Sequence, residues 1–213
     1  MDNTTEIPLF PLSMVLFPNM LQQLFIFEDR YKEMINTCLM EESEFGLLFF
    51  NEKESQLCNV GCTARVTQVL KQYENGEMDI LIEGNRRFHV LDLIQRNAYY
   101  EASVEFFDDD EDEVPDTLLN QVLKAYQEVI RLQTRGVGAI KGIFDPVHFS
   151  FVIASTIDLD LPDKQTILEL TSTTERMRKL ETSLAHTLKT LQGLRAFERH
   201  AGTNGHSRHG KSE

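Results

Sequence analysis

The sequence predicts an α+β chain: a small antiparallel β-barrel with one helix, followed by a C-terminal helical bundle. Three observations carry this. Short apolar runs punctuated by proline open the chain at residues 7–12 and 15–18, and proline enters sheets only at edges, strand starts and bulges. Period-two alternation with turn signals then continues to Phe107. Beyond an acidic run, apolar residues recur at helical spacing.

The elements follow in order. Residues 6–27 read as two or three short strands, and 28–42 as a helix whose apolar face is Tyr31, Met34, Ile35, Cys38 and Leu39. The run Phe45-Gly46-Leu47-Leu48-Phe49-Phe50 suits a strand covered on both faces. A polar loop at 51–57 leads into an alternating strand over 60–73. Asn75-Gly76 is a hairpin signal. Met78, Ile80 and Ile82 restart the alternation, Gly84-Asn85 predicts a second turn, and 87–93 and 99–107 close the set.

The helical half is marked by its caps. Leu119, Val122, Leu123, Tyr126, Val129 and Ile130 form one stripe. Asp145-Pro146 reads as an N-cap with proline at the first helical position. Residues 163–170 make a short helix, and Ser172-Thr173-Thr174-Glu175 is a capping box. It opens a long helix lined by Met177, Leu180, Leu184, Leu188, Leu191 and Leu194. The expected domains are a β-barrel over 1–107, an acidic linker over 108–116, a helical bundle over 117–200 and a disordered tail over 201–213.

Charge excludes some function classes. The chain carries 21 basic and 34 acidic side chains, net −13. Residues 107–116 hold seven acids and no base, so mutual repulsion predicts an open, solvated segment there. This balance opposes nucleic-acid binding, which needs clustered Lys and Arg, and docking on anionic membrane. The sequence opens without a basic region followed by an apolar core and holds no apolar stretch of membrane-spanning length, so neither a secretory leader nor a membrane helix is expected. A cytoplasmic protein with free thiols at Cys38, Cys58 and Cys62 is expected. Cys58 and Cys62, on one strand, lie about 13 Å apart, too far to share a metal ion.

The order of motifs resembles the N-terminal, substrate-binding domain of the Lon family of ATP-dependent proteases. The resemblance rests on Ile7-Pro8-Leu9-Phe10-Pro11-Leu12, then Val15-Leu16-Phe17-Pro18, then Ile26-Phe27-Glu28-Asp29-Arg30-Tyr31. It continues through Val60-Gly61-Cys62-Thr63-Ala64, Glu83-Gly84-Asn85-Arg86-Arg87-Phe88 and Leu161-Pro162-Asp163-Lys164-Gln165. The family pattern has Thr where Cys62 stands. The resemblance implies a PUA-like barrel and a role in engaging unfolded or tagged proteins.

Nothing in the sequence supplies catalysis. It lacks a phosphate-binding G-x-x-x-x-G-K-[ST] loop and a Gly-x-Ser-x-Gly elbow. The glycine cluster at 136–142 has neither the spacing nor a preceding strand. His89 alternates within a strand and reads as structural, His148 and His186 have no Cys or Ser partner by spacing, and His200, His206 and His209 fall in the tail. No cofactor and no metal is expected. The expected partner is an unfolded or extended polypeptide, or a protease or chaperone. Candidate contact residues are apolar side chains in predicted loops: Met14, Met20, Leu21, Ile143 and Phe144. Two alternatives stand beside this reading: a PUA-like RNA-binding module, and a small-molecule or hydrolytic site in the interdomain cleft.

Overall fold

β1 (Thr4–Leu12), β2 (Leu21–Ile26) and α1 (Asp29–Glu41) precede β3 (Phe45–Asn51), β4 (Gln56–Gln72), β5 (Met78–Ile94) and β6 (Tyr100–Phe107). The helices α2 (Asp116–Gln133), α3 (Pro146–Thr156), α4 (Leu161–Glu169) and α5 (Thr173–Thr203) follow. This computed structural model describes residues 4–134 and 145–203. No helix among them is long and apolar enough to cross a membrane.

The strands form one sheet in the order β2-β5-β4-β3-β1-β6, and β6 also pairs with β5. Pairing therefore runs β5–β4–β3–β1–β6 and back to β5, while β2 hangs on the outer side of β5. The long β4 and β5 carry three register shifts between them, which bend and twist the pair. Ile7, Leu9, Leu48, Phe88, Ala102 and Val104 fill the circuit of strands. A second, larger core joins α1 and the outer sheet to the helices, from Phe10 and Tyr31 through to Phe149 and Leu180.

Three sequence expectations are corrected. The sheet is not wholly antiparallel: β1 and β3 pair in parallel, Leu9 opposite Gly46. The connection through β2 and α1 supplies the long crossover that parallel strands need. The Val15–Pro18 motif is not a strand; it lies in the loop between β1 and β2, with Leu16 and Phe17 buried. Gly84-Asn85 is not a turn, because β5 continues through it, with a bulge just after the glycine. Its glycine serves a close approach instead: a Cβ there would stand 2.2 Å from the Phe17 carbonyl oxygen. The loop is tied to that spot by Asn19 N–H donating to Gly84 O at 2.8 Å and Gly84 N–H donating to Met20 O at 2.9 Å.

The prolines of β1 sit where the strand has a neighbour on one side only. Pro8 pairs with β6 and Pro11 with β3; the two pairings overlap at Leu9 alone. A missing N–H is tolerated at such half-edge positions.

Residues 108–115 lack regular structure, but charge repulsion does not leave them open. Asp112 accepts from the N–H groups of Thr173 and Thr174 at 3.1 and 2.8 Å and from Ser172 Oγ at 2.9 Å. It thus covers the N-terminus of α5 from outside that helix. Ser172 Oγ accepts from Glu175 N–H, which is half of the expected capping box. The cap of α3 forms as read, Asp145 accepting from His148 N–H at 2.9 Å.

Candidate functional site: the free edge of β2

β2 reads Leu-Gln-Gln-Leu-Phe-Ile, without a charged residue. It pairs antiparallel with β5, Leu21 opposite Glu83, Gln23 opposite Leu81 and Phe25 opposite Asp79. No strand among the described residues lies on its other side. Ile26 is buried and Leu24 packs on the core. The alternate set points away from it: Leu21 is 60% exposed, Phe25 49%, and Phe27 just beyond the strand 57%.

The backbone of this edge has a fixed orientation. Gly84 N–H donates to Met20 O, so the pair Met20/Gly84 turns its groups inward. Antiparallel ladders alternate every two residues. Gln22, Leu24 and Ile26 therefore face β5, and the N–H and C=O groups of Leu21, Gln23 and Phe25 face outward. The Gln23 carbonyl accepts from its neighbour's side chain, Gln22 Nε2, at 3.0 Å.

An aromatic cluster adjoins the edge. The Phe25 ring lies 6.0 Å from Phe27, stacked, and 6.0 Å from Tyr73, edge-on. Lys71 Nζ sits 4.1 Å over the Tyr73 ring, and Tyr73 donates to Asp79 Oδ2 at 3.0 Å. The arrangement offers a strand-shaped partner outward backbone groups, an apolar row and an aromatic shelf.

Of the five residues that the sequence singles out, Leu21 is on this edge. Met20, next to it, is half-buried against the core, and its Sδ accepts from Ser155 Oγ at 3.3 Å. Met14 is also half-buried and packed on the core. Ile143 and Phe144 lie outside the described residues, as does the glycine cluster at 136–142. Phe25 and Phe27 are not among the five; the available signal is a charge-free strand that carries Leu21 and Phe25 on one face.

The titratable side chains form no metal cage: among the described residues no group of three or more His, Cys, Asp or Glu is placed to hold an ion. Burial pushes the Cys62 thiol up to about 12 and raises Cys58 as well, the opposite of an activated nucleophile. His89 is exposed with its ring 4.4 Å from Phe107, and His186 is exposed on α5. A separate cleft of about 670 Å³ lies between the end of β1 and the start of α1, with Arg30, Tyr31, Glu52 and Leu93 on its walls.

Between sheet and helices, Arg87 is buried on three acceptors: Asp109 Oδ1 at 2.6 Å, Leu170 O at 2.7 Å and Leu168 O at 3.0 Å. The fully buried Arg176 shares Asp109 and also donates to Ser150 Oγ and Thr173 Oγ1. Phe151 lies beneath both guanidinium groups. Burial pulls the Arg87 guanidinium below its usual value, and Asp109 opposes that shift. This network fixes the helices to the sheet.

Comparison with known proteins follows the same lines. The family described as "ATP-dependent protease La (LON) substrate-binding domain" matches residues 6–186. The chain is 28% identical over 189 residues to a Lon protease of Halothermothrix orenii, covering 82% of this chain and 24% of that protein. It is 27% identical over 202 residues to Lon protease 2 of Herpetosiphon aurantiacus, covering 89% and 25%. The chain thus spans about a quarter of the length of these curated relatives. Among solved structures, a Lon N-terminal domain protein from Xanthomonas campestris superposes with a TM-score of 0.66 at 21% identity, covering 83% of this chain and 96% of that one. The N-terminal domain of a Mycobacterium avium complex Lon protease gives 0.65 at 18%, covering 85% and 98%.

Proposed function

The chain belongs to the Lon substrate-binding domain family, and on that premise we propose that it is a non-catalytic module that holds extended polypeptide along the free edge of β2. The observation that carries this is the outward set Leu21, Gln23 and Phe25, which combines unpaired strand geometry with exposed apolar side chains. An added strand would gain affinity from backbone hydrogen bonds and selectivity from the apolar row. Burying exposed apolar surface supplies the drive, about 25 cal/mol per Å² removed from water.

The same reading takes the closed circuit of strand pairing as a PUA-like barrel over residues 1–107. The segment 108–116 is the linker, and 117–200 the helical bundle. The module serves as an adaptor in proteolysis or quality control in the cytoplasm, with a protease or chaperone as its working partner. Catalysis is assigned to other chains or domains.

A second reading draws on the cleft of about 670 Å³, whose size suits a small molecule and whose walls mix Leu93 with Arg30 and Glu52. RNA binding is set aside, because a net charge of −13 opposes a phosphate backbone. Titration with a fluorescently labelled, permanently unfolded protein tests the proposal. Saturable binding that survives added salt supports it, and no binding to any unfolded chain refutes it.

A further inference from the structure

We propose that the β2 edge pairs with the β2 edge of a second copy of this chain across a two-fold axis through Gln23, and that this pairing occludes the edge; only the occlusion rests on the polypeptide reading above. Natural proteins protect sheet edges with Lys, Pro, bulges or very short strands. β2 has six residues, no charge, no proline and no register shift against β5. Its first three residues are exposed in succession, so both faces of the strand are open there.

Self-pairing has one natural register. Only Leu21, Gln23 and Phe25 turn their backbone groups outward, and an axis through Gln23 is the one placement that pairs all three with outward groups of the same set. Leu21 then opposes the partner copy's Phe25, and Phe25 opposes its Leu21. Each of the three pairs is of the hydrogen-bonded kind, exchanging two N–H···O bonds. The side chains match as well: two Leu–Phe pairs flank one Gln–Gln pair. A closed isologous contact of this type cannot propagate into a fibre.

Charge favours this edge over the rest of the surface. A chain of net −13 repels its own copy over most approaches. The acids that pair directly with β2, Asp79 and Glu83, are on β5. In the pair they would stand three strand spacings from their counterparts, about 14 Å, beyond the Debye length of about 8 Å at physiological ionic strength. A single strand pair buries less than the roughly 1,200 Å² of a standard stable interface. The dimer is therefore weak and exchanging, as an edge that also takes other strands requires.

Sedimentation equilibrium from a few micromolar to several hundred micromolar tests the proposal, with Gln23→Lys and Gln23→Glu as variants. Gln23 is exposed on its strand, and melting curves verify that each variant folds. The wild type should move from monomer toward dimer. Each variant alone should stay monomeric, its dissociation constant at least tenfold weaker, because the axis sets like charges face to face. An equimolar mixture of the two variants should recover the dimer. A wild type that is monomeric throughout, a variant that dimerises as the wild type does, or a mixture that stays monomeric overturns the pairing. Adding unfolded polypeptide should convert the wild-type dimer into monomeric complexes. A polypeptide-bound dimer overturns the occlusion, whereas a dimer that binds no polypeptide leaves the pairing and refutes the polypeptide reading.

Discussion

Arg87 and Asp109 meet at 2.6 Å in the seam between sheet and helices, both largely buried. Arg87 comes from β5, where two residues, Asn85 and Arg86, bulge opposite Thr63. Thr63 Oγ1 accepts from the Arg86 N–H at 3.1 Å and holds the bulge in place. Asp109 comes from the acidic run. One carboxylate thereby neutralises part of the charge of two buried arginines.

Asp109→Asn is expected to destabilise the protein by roughly 3–5 kcal/mol, because it leaves Arg87 and Arg176 buried without a counter-charge. Thermal unfolding should show a fall of about 10 °C. Asp108→Asn, at an exposed neighbouring position, should leave the midpoint within a degree or two. Equal midpoints for the two variants would show that the network does not join the halves.

Asp112 gives a pH-dependent test. Partial desolvation raises its carboxyl, but bonds from the Thr174 side chain and N–H, Ser172 and Thr173 outweigh that and bring it down to about 2. A depressed carboxylate stabilises the folded state above its unfolded value, near 3.8. That contribution fades as pH falls from about 4 toward 2. Asp112→Ala should cost about 1–2 kcal/mol at pH 7 as a lost helix cap. The gap between wild type and variant should narrow below pH 4, as read by urea denaturation. A gap that stays constant to pH 2 would contradict this assignment.

Gly84→Ala should be costly, since the new Cβ meets the Phe17 backbone at 2.2 Å and not a yielding side chain. A loss of at least 1–3 kcal/mol is expected, with the loop before β2 displaced. Amide exchange at Asn19 should quicken, because its bond to Gly84 O is broken. Unchanged stability would mean that the loop does not rest on β5.

How much of this was legible in the sequence depends on whether the signal was local. The hairpin at Asn75-Gly76 was readable because Gly76 adopts φ +80°. The α3 cap was readable because Asp145 and His148 are three residues apart. Gly84 was misread because its conformational licence resembles a turn, whereas its role is contact with Phe17, 67 positions away. The parallel β1–β3 pair and the anchoring of the acidic run are long-range pairings that no local spacing encodes. The candidate edge was half visible: Leu21 could be picked from its loop neighbourhood, but exposure of Phe25 follows from β2 having β5 on one side only. Met20, which looks like Leu21 in the sequence, packs against α3 through Ser155.

Neighbouring residues should therefore part company. Met20→Ser should lower the melting temperature, by truncation of a packed side chain, while Leu21→Ser leaves it nearly unchanged. The reverse order would mean that Leu21 is the packed residue.

The most direct measurement is the affinity of Leu21→Ser/Phe25→Ser for a labelled unfolded polypeptide, at low and at high salt, beside its melting curve. The account predicts at least a tenfold loss of affinity with the fold intact. It also predicts wild-type binding that persists as salt rises, because screening acts on charges and not on apolar contact. Undiminished binding by the double variant, or wild-type binding that collapses with salt, would contradict it.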